Sequence, residues 1–79
     1  MTEQEWTAKA EKALVGKKIV EVEYLPESIC NKWAWTSRPL AIHFDDGTWI
    51  IPMRDDEGND GGALSTNLED LDTIPVLWV

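Results

Sequence analysis

Cysteine is nearly absent from the chain. Cys30 stands alone, so no disulfide can form within it, and a single thiol fits a reducing, cytoplasmic setting. No apolar run approaches the ~20 residues needed to cross a bilayer. The opening Met-Thr-Glu-Gln-Glu-Trp has neither the basic stretch nor the apolar core of a secretory leader. A soluble, cytoplasmic protein is therefore expected. Bases are scarce as well: 7 Lys and Arg stand against 15 Asp and Glu, for a net charge of −8, and only Lys17 and Lys18 adjoin. Such a surface repels phosphate, so the counterion release behind most nucleic-acid binding has the wrong sign. Neither nucleic acid nor an anionic membrane is an expected partner. One cysteine and one histidine also fall short of the usual zinc ligand set. The glycines at 58, 61 and 62 lie among acids, which disfavours a phosphate cradle.

What is present reads as a single domain over residues 1–79, with no repeat, linker or low-complexity tract. Thr2 and Glu5 form a capping-box pattern. Trp6, Ala10, Ala13 and Leu14 follow at helical spacing, and Gly16 suits a helix end, which predicts a helix over residues 3–14. From Lys18 to Leu25 the period drops to two, with Val20, Val22 and Tyr24 on one face and Glu21 and Glu23 on the other. Pro26 opens a short helix carrying Ile29 and Trp33 one turn apart. Leu40, Ile42 and Phe44 then alternate with Ala41, His43 and Asp45, and Asp45-Asp46-Gly47 signals a hairpin into a returning strand over 48–53. Two registers fit that hairpin. A two-residue turn sets Trp49 and Ile51 beside Phe44 and Ile42, whereas a three-residue loop with a Gly47 bulge sets Ile50 there and sends Trp49 to the other face. A helical turn around residues 67–71 and a last strand over 73–78 complete the reading. The expected class is α+β: an N-terminal helix packed on a small, mainly antiparallel sheet of three to four strands, with a short second helix between strands one and two.

Chemistry could sit in two places. Residues 54–62 hold five oxygen-bearing side chains, Asp55, Asp56, Glu57, Asn59 and Asp60, among three glycines. Hard cations need several oxygens on a tightly wound backbone, so these five are the candidate cation ligands. The spacing is not that of an EF-hand, since Asp60 occupies the glycine position and Thr66 the place of the bidentate glutamate. The structural alternative is a tight loop of Asx turns and left-handed glycines, with Arg54 bridging to its carboxylates. Cys30 and His43 are the only pair suited to thiol catalysis, and nothing in their spacing brings them together. The second place is the tryptophans: Trp6, Trp33, Trp35, Trp49 and Trp78 exceed what one thin core holds. Trp6 and Trp33 are expected inside, while Trp35, Trp49 and Trp78 are the candidate interaction residues.

Leu14-x-Gly16-x-x-Ile19-x-x-Val22-x-Tyr24, Asp45-Asp46-Gly47-Thr48, Pro52, the Asp55-Asp56-Glu57-Gly58-Asn59-Asp60-x-Gly62-Ala63-Leu64 run and Ile74-Pro75-Val76 cover most of the chain. Together they resemble a group of small uncharacterised bacterial and phage proteins. The resemblance implies a complete chain and carries no activity, cofactor or site residue with it. The expectation is therefore a small acidic, non-enzymatic interaction or regulatory module without a cofactor. It would bind a protein partner or itself, with the apolar ending Val76-Leu77-Trp78-Val79 as the edge for a homodimer. A cation-binding protein using the loop at 55–62 is the alternative.

Overall fold

A computed structural model describes every residue from Met1 to Val79. The elements run α1 (Glu3–Leu14), β1 (Ile19–Tyr24), α2 (Glu27–Lys32), β2 (Ser37–Arg38), β3 (Leu40–Phe44), β4 (Trp49–Ile50), β5 (Leu64–Leu68), β6 (Leu71–Ile74) and β7 (Leu77–Trp78). The class is α+β, as the alternation of periods predicts. No helix is long and apolar enough to cross a membrane.

The capping box of α1 is formed: Glu5 N donates to Thr2 Oγ1, and Thr2 N donates to Glu5 Oε1. Val15 caps the far end, and Gly16 takes the left-handed conformation at φ 82° that frees the chain to turn. The expected packing of this helix on the sheet does not occur. No residue of α1 is buried, and Trp6, expected in the core, is 61% exposed. The cause lies in the four-residue link. Lys17 Nζ sits 2.6 Å from Asp46 and donates to Thr48 Oγ1, while Asp45 N donates to Lys18 O and Lys18 N donates to Asp45 Oδ1. That link is fastened to the β3–β4 turn, which holds the helix off its own sheet.

The central sheet has the order β1-β3-β4 and is antiparallel throughout. Ile42 pairs with Ile50 and His43 with Trp49, so the three-residue loop is the one used, with Gly47 left-handed at φ 87°. Trp49 therefore shares a face with His43, and through the pairing of Glu21 with His43 and Glu23 with Ala41, with both glutamates. Ile19, Val22, Tyr24, Leu40, Ile42, Phe44 and Ile50 occupy the opposite face. Pro52 stops the returning strand after Ile50, as a residue without a ladder donor should.

Helix α2 ends in a Schellman arrangement: Trp35 N donates to Cys30 O and Ala34 N to Asn31 O. The left-handed position between them is filled by Ala34, at φ 60°, where glycine is usual. This reversal drives Trp35 back under the helix, where it joins Leu25 and Cys30 in the core, with Ile29 and Ile51 against them. The rest of the chain departs from expectation. Residues 67–71 form no helical turn; β5 and β6 make a hairpin, its alternating Leu64, Thr66 and Leu68 having the period of a strand. The C-terminal β7 pairs with β2 rather than extending the central sheet, so one three-stranded and two two-stranded sheets replace a single one.

Seven residues of 79 are buried. Among them Gly61 lies so close to the buried Pro39 that an added Cβ would fall 2.5 Å from its ring and 2.8 Å from Ser37 O. Gly61→Ala is expected to lower stability by roughly 1–3 kcal/mol through overpacking. Ala34→Gly is expected to raise it by about 0.5–1 kcal/mol, the left-handed penalty less glycine's extra freedom in the unfolded chain. Urea denaturation of both variants, read by tryptophan fluorescence, checks the opposite signs.

Candidate functional site

Residues 54–60 form a loop pinched at its base. Met53 bridges to Gly61, Arg54 N donates to Asp60 O, and Gly62 N donates to Pro52 O. Within it Asp55 accepts from Glu57 N, Asn59 N and Asn59 Nδ2. The Asn59 side chain, then the loop amides, hold the Asp55 carboxyl below its usual range. Asp60 reaches out of the loop instead. Its Oδ1 accepts from Ser37 N at 2.9 Å, Thr36 N at 3.2 Å and Gly61 N at 2.8 Å, and its Oδ2 accepts from Thr36 Oγ1 at 2.8 Å. Trp35 Nε1 completes the attachment by donating to Gly58 O at 2.7 Å.

The five proposed cation ligands are thus divided. Asp55 and Asp60 hold backbone amides, the Asn59 side chain donates to Asp55, and Asp56 and Glu57 lie exposed beside them. The loop does not bring three carboxylates to one point. It is the Asx-turn loop of the structural alternative, although amides take the part expected of Arg54, which forms no ion pair. Ser37 N, the strongest of several donors, keeps the Asp60 carboxyl below its usual range. Its stabilisation is therefore complete above the ordinary carboxylate pKa of about 3.9 and is lost as pH falls through the lower, folded value. Asp60→Asn is expected to melt at lower temperature at pH 7. Its difference from the parent should shrink as the pH is taken below about 4, which a series of thermal melts measures.

Of the three tryptophans expected to make contacts, Trp35 is the exception: it is buried, because its indole is the post on which the acidic loop hangs. Trp78 is 74% exposed, though its backbone is paired with Ser37 and Val79 N donates to Thr36 O. The terminal segment is therefore tied into its own chain along one edge, by its pairing with β2. Trp49 is exposed and stands at the rim of a hollow of about 270 Å³. Leu25, Ile29, Ala41 and Ile51 line its interior, Trp33 and Trp49 flank it, and Glu23 and His43 add polar groups to its lining. Trp33, expected inside, is half exposed and meets Trp35 edge to face at 5.0 Å.

Trp33, Glu23 and His43 meet at this hollow, although Trp33 was expected in the core, His43 was weighed only beside Cys30, and Glu23 was read only as a strand residue. The signal was the shared period of two, which places Glu21, Glu23 and His43 on one face once the strands pair. His43 Nε2 is itself buried, 3.5 Å from Glu23 Oε2 and without a hydrogen-bond partner. The metal-capable atoms of the fold gather here too: Glu21, Glu23 and His43 offer one ligand atom each within 4.8 Å of one another. Three donors are one short of a closed tetrahedral set.

Cys30 is fully buried, with its sulfur turned to Leu25 O at 3.9 Å and Ser37 O at 3.8 Å. Burial pushes its thiol above the usual range, Arg38 opposing in part. That is the reverse of what a nucleophile needs. Iodoacetamide is expected to modify Cys30 roughly a hundredfold more slowly in the native protein than in denaturant. Mass spectrometry of timed samples reads the ratio. No family model, curated protein or solved structure matches the chain.

Proposed function

We propose that this chain is a non-enzymatic, cytoplasmic protein-interaction module whose hollow captures one apolar side chain of a partner protein. The observation that carries the reading is a tryptophan-flanked apolar hollow with a glutamate at its edge, open on a surface of net charge −8. At about 270 Å³ it lies below the volume of most small-molecule sites and suits a single anchoring side chain. Exposed tryptophans beside a pocket are the usual energetic centre of a protein interface. Glu23 and the wider negative field favour Lys or Arg next to the anchor, and the faces of Trp33 and Trp49 can stack on such cations. The buried thiol and the hydrogen-bonded loop carboxylates favour a binding role over a catalytic one.

Short peptides with one central Trp, Phe or Leu, flanked by either Lys and Arg or Asp and Glu, test the reading. Basic flanks are expected to bind at least about tenfold more tightly than acidic ones. Trp49→Ala, which removes an exposed ring, should abolish that binding while leaving the melting temperature nearly unchanged. Equal affinity for both peptide sets, or full binding by Trp49→Ala, would overturn it.

A further inference from the structure

An exposed apolar helix stripe and an exposed apolar sheet face on this chain have no partner. The first is the stripe of α1, Trp6, Ala10, Ala13 and Leu14, all exposed. The second is the sheet face opposite the hollow, where Ile19 is 55% and Val22 53% exposed and Ile50 lies open beside Ile42 and Phe44. A ridge with two alanines near its end can lie close on such a face, since a sheet is covered by a helix or by another sheet.

The surface area shows how much is left uncovered. A compact monomer of 9.0 kDa should expose about 4,850 Å², whereas this chain exposes 6071 Å². The excess, about 1,200 Å², exceeds the roughly 800 Å² that each partner buries in a standard interface. The radius of gyration agrees: 13.8 Å against about 11.6 Å for a compact chain of this length. The helix cannot readily cover its own sheet, because Lys17 and Lys18 fasten the link to Asp45, Asp46 and Thr48. The occupant must then come from a second molecule. The one uncovered helix is α1 of another copy.

We propose that two copies associate about a two-fold axis, each laying its α1 stripe across the Ile19, Val22, Ile42, Phe44 and Ile50 face of the other. The contact is mutual, so both sheets and both helices are covered at once and the assembly closes at two. It uses the face opposite the hollow and leaves Trp49 free, so it stands or falls independently of partner capture. Like charges on the two copies oppose it at low salt, and screening strengthens it.

Sedimentation equilibrium at tens of micromolar is the direct test. The intact chain is expected at twice its 9.0 kDa mass, more completely at higher salt. Trp6→Lys and Val22→Lys change exposed residues, so each should keep its fold, verified by the protection of Cys30 from alkylation. Each should weaken association at least about tenfold. An equimolar mixture of the two should recover part of the dimer, because the intact helix of one meets the intact sheet of the other. A monomeric intact chain overturns the proposal, including one whose Trp6 emission is already that of a buried ring. So does loss of association with Val22→Lys but not Trp6→Lys, which would indicate sheet packed on sheet, and so does a mixture that shows no recovery.

Discussion

The carboxylate of Asp60 joins parts of the chain that would otherwise have little to hold them together. It accepts from the backbone of Thr36 and Ser37 on one side and of Gly61 on the other, so it fixes β2 against the base of the acidic loop. With β2 in place, β7 finds its pairing edge, Pro39 is buried, and Gly61 can press against it. Trp35 fastens the same loop from below and packs with Leu25 and Cys30. A domain this small has little apolar burial to spend on uniqueness. Its arrangement rests on a charged group satisfied by several amides, each such bond being stronger than a neutral one.

That economy has a consequence for the surface. The core gathers under α2, Trp35 and Ala41, on the sheet face that also carries Glu21, Glu23 and His43. The more apolar face of the same sheet is left open, as is the stripe of α1. With so little core, a domain of this size can leave such a face uncovered. Here it leaves one face with an apolar hollow and the other face open to solvent.

The acidic run shows how one composition can serve two different chemistries. Oxygen-rich, glycine-rich segments serve both cations and tight turns, because both need lone pairs directed at positive charge or at N–H groups on a sharply curved backbone. The difference lies in what the oxygens meet. In this fold Asp55 and Asp60 meet amides, and the depression of both carboxyls follows from those bonds.

Local elements were legible from the residues. The capping box at Thr2 and Glu5, the alternation in residues 19–24 and 40–44, the proline that opens α2 and the one that halts β4 are decided within a few residues, by hydrogen-bond geometry and steric limits. The hairpin of β5 and β6 escaped because its alternation runs through Ser65, Thr66 and Asn67, which read as a turn by composition. What the tertiary structure alone decided was which side of each element is covered. The register of β3 on β4, and with it the face of Trp49, depended on whether Gly47 adopts a left-handed bulge. The burial of Trp35 and exposure of Trp6 depended on a reversal at Ala34 and on a link fastened at Lys17. An apolar stripe specifies that a surface must be buried, but its partner is set by chain geometry many residues away, and periodicity carries no record of that.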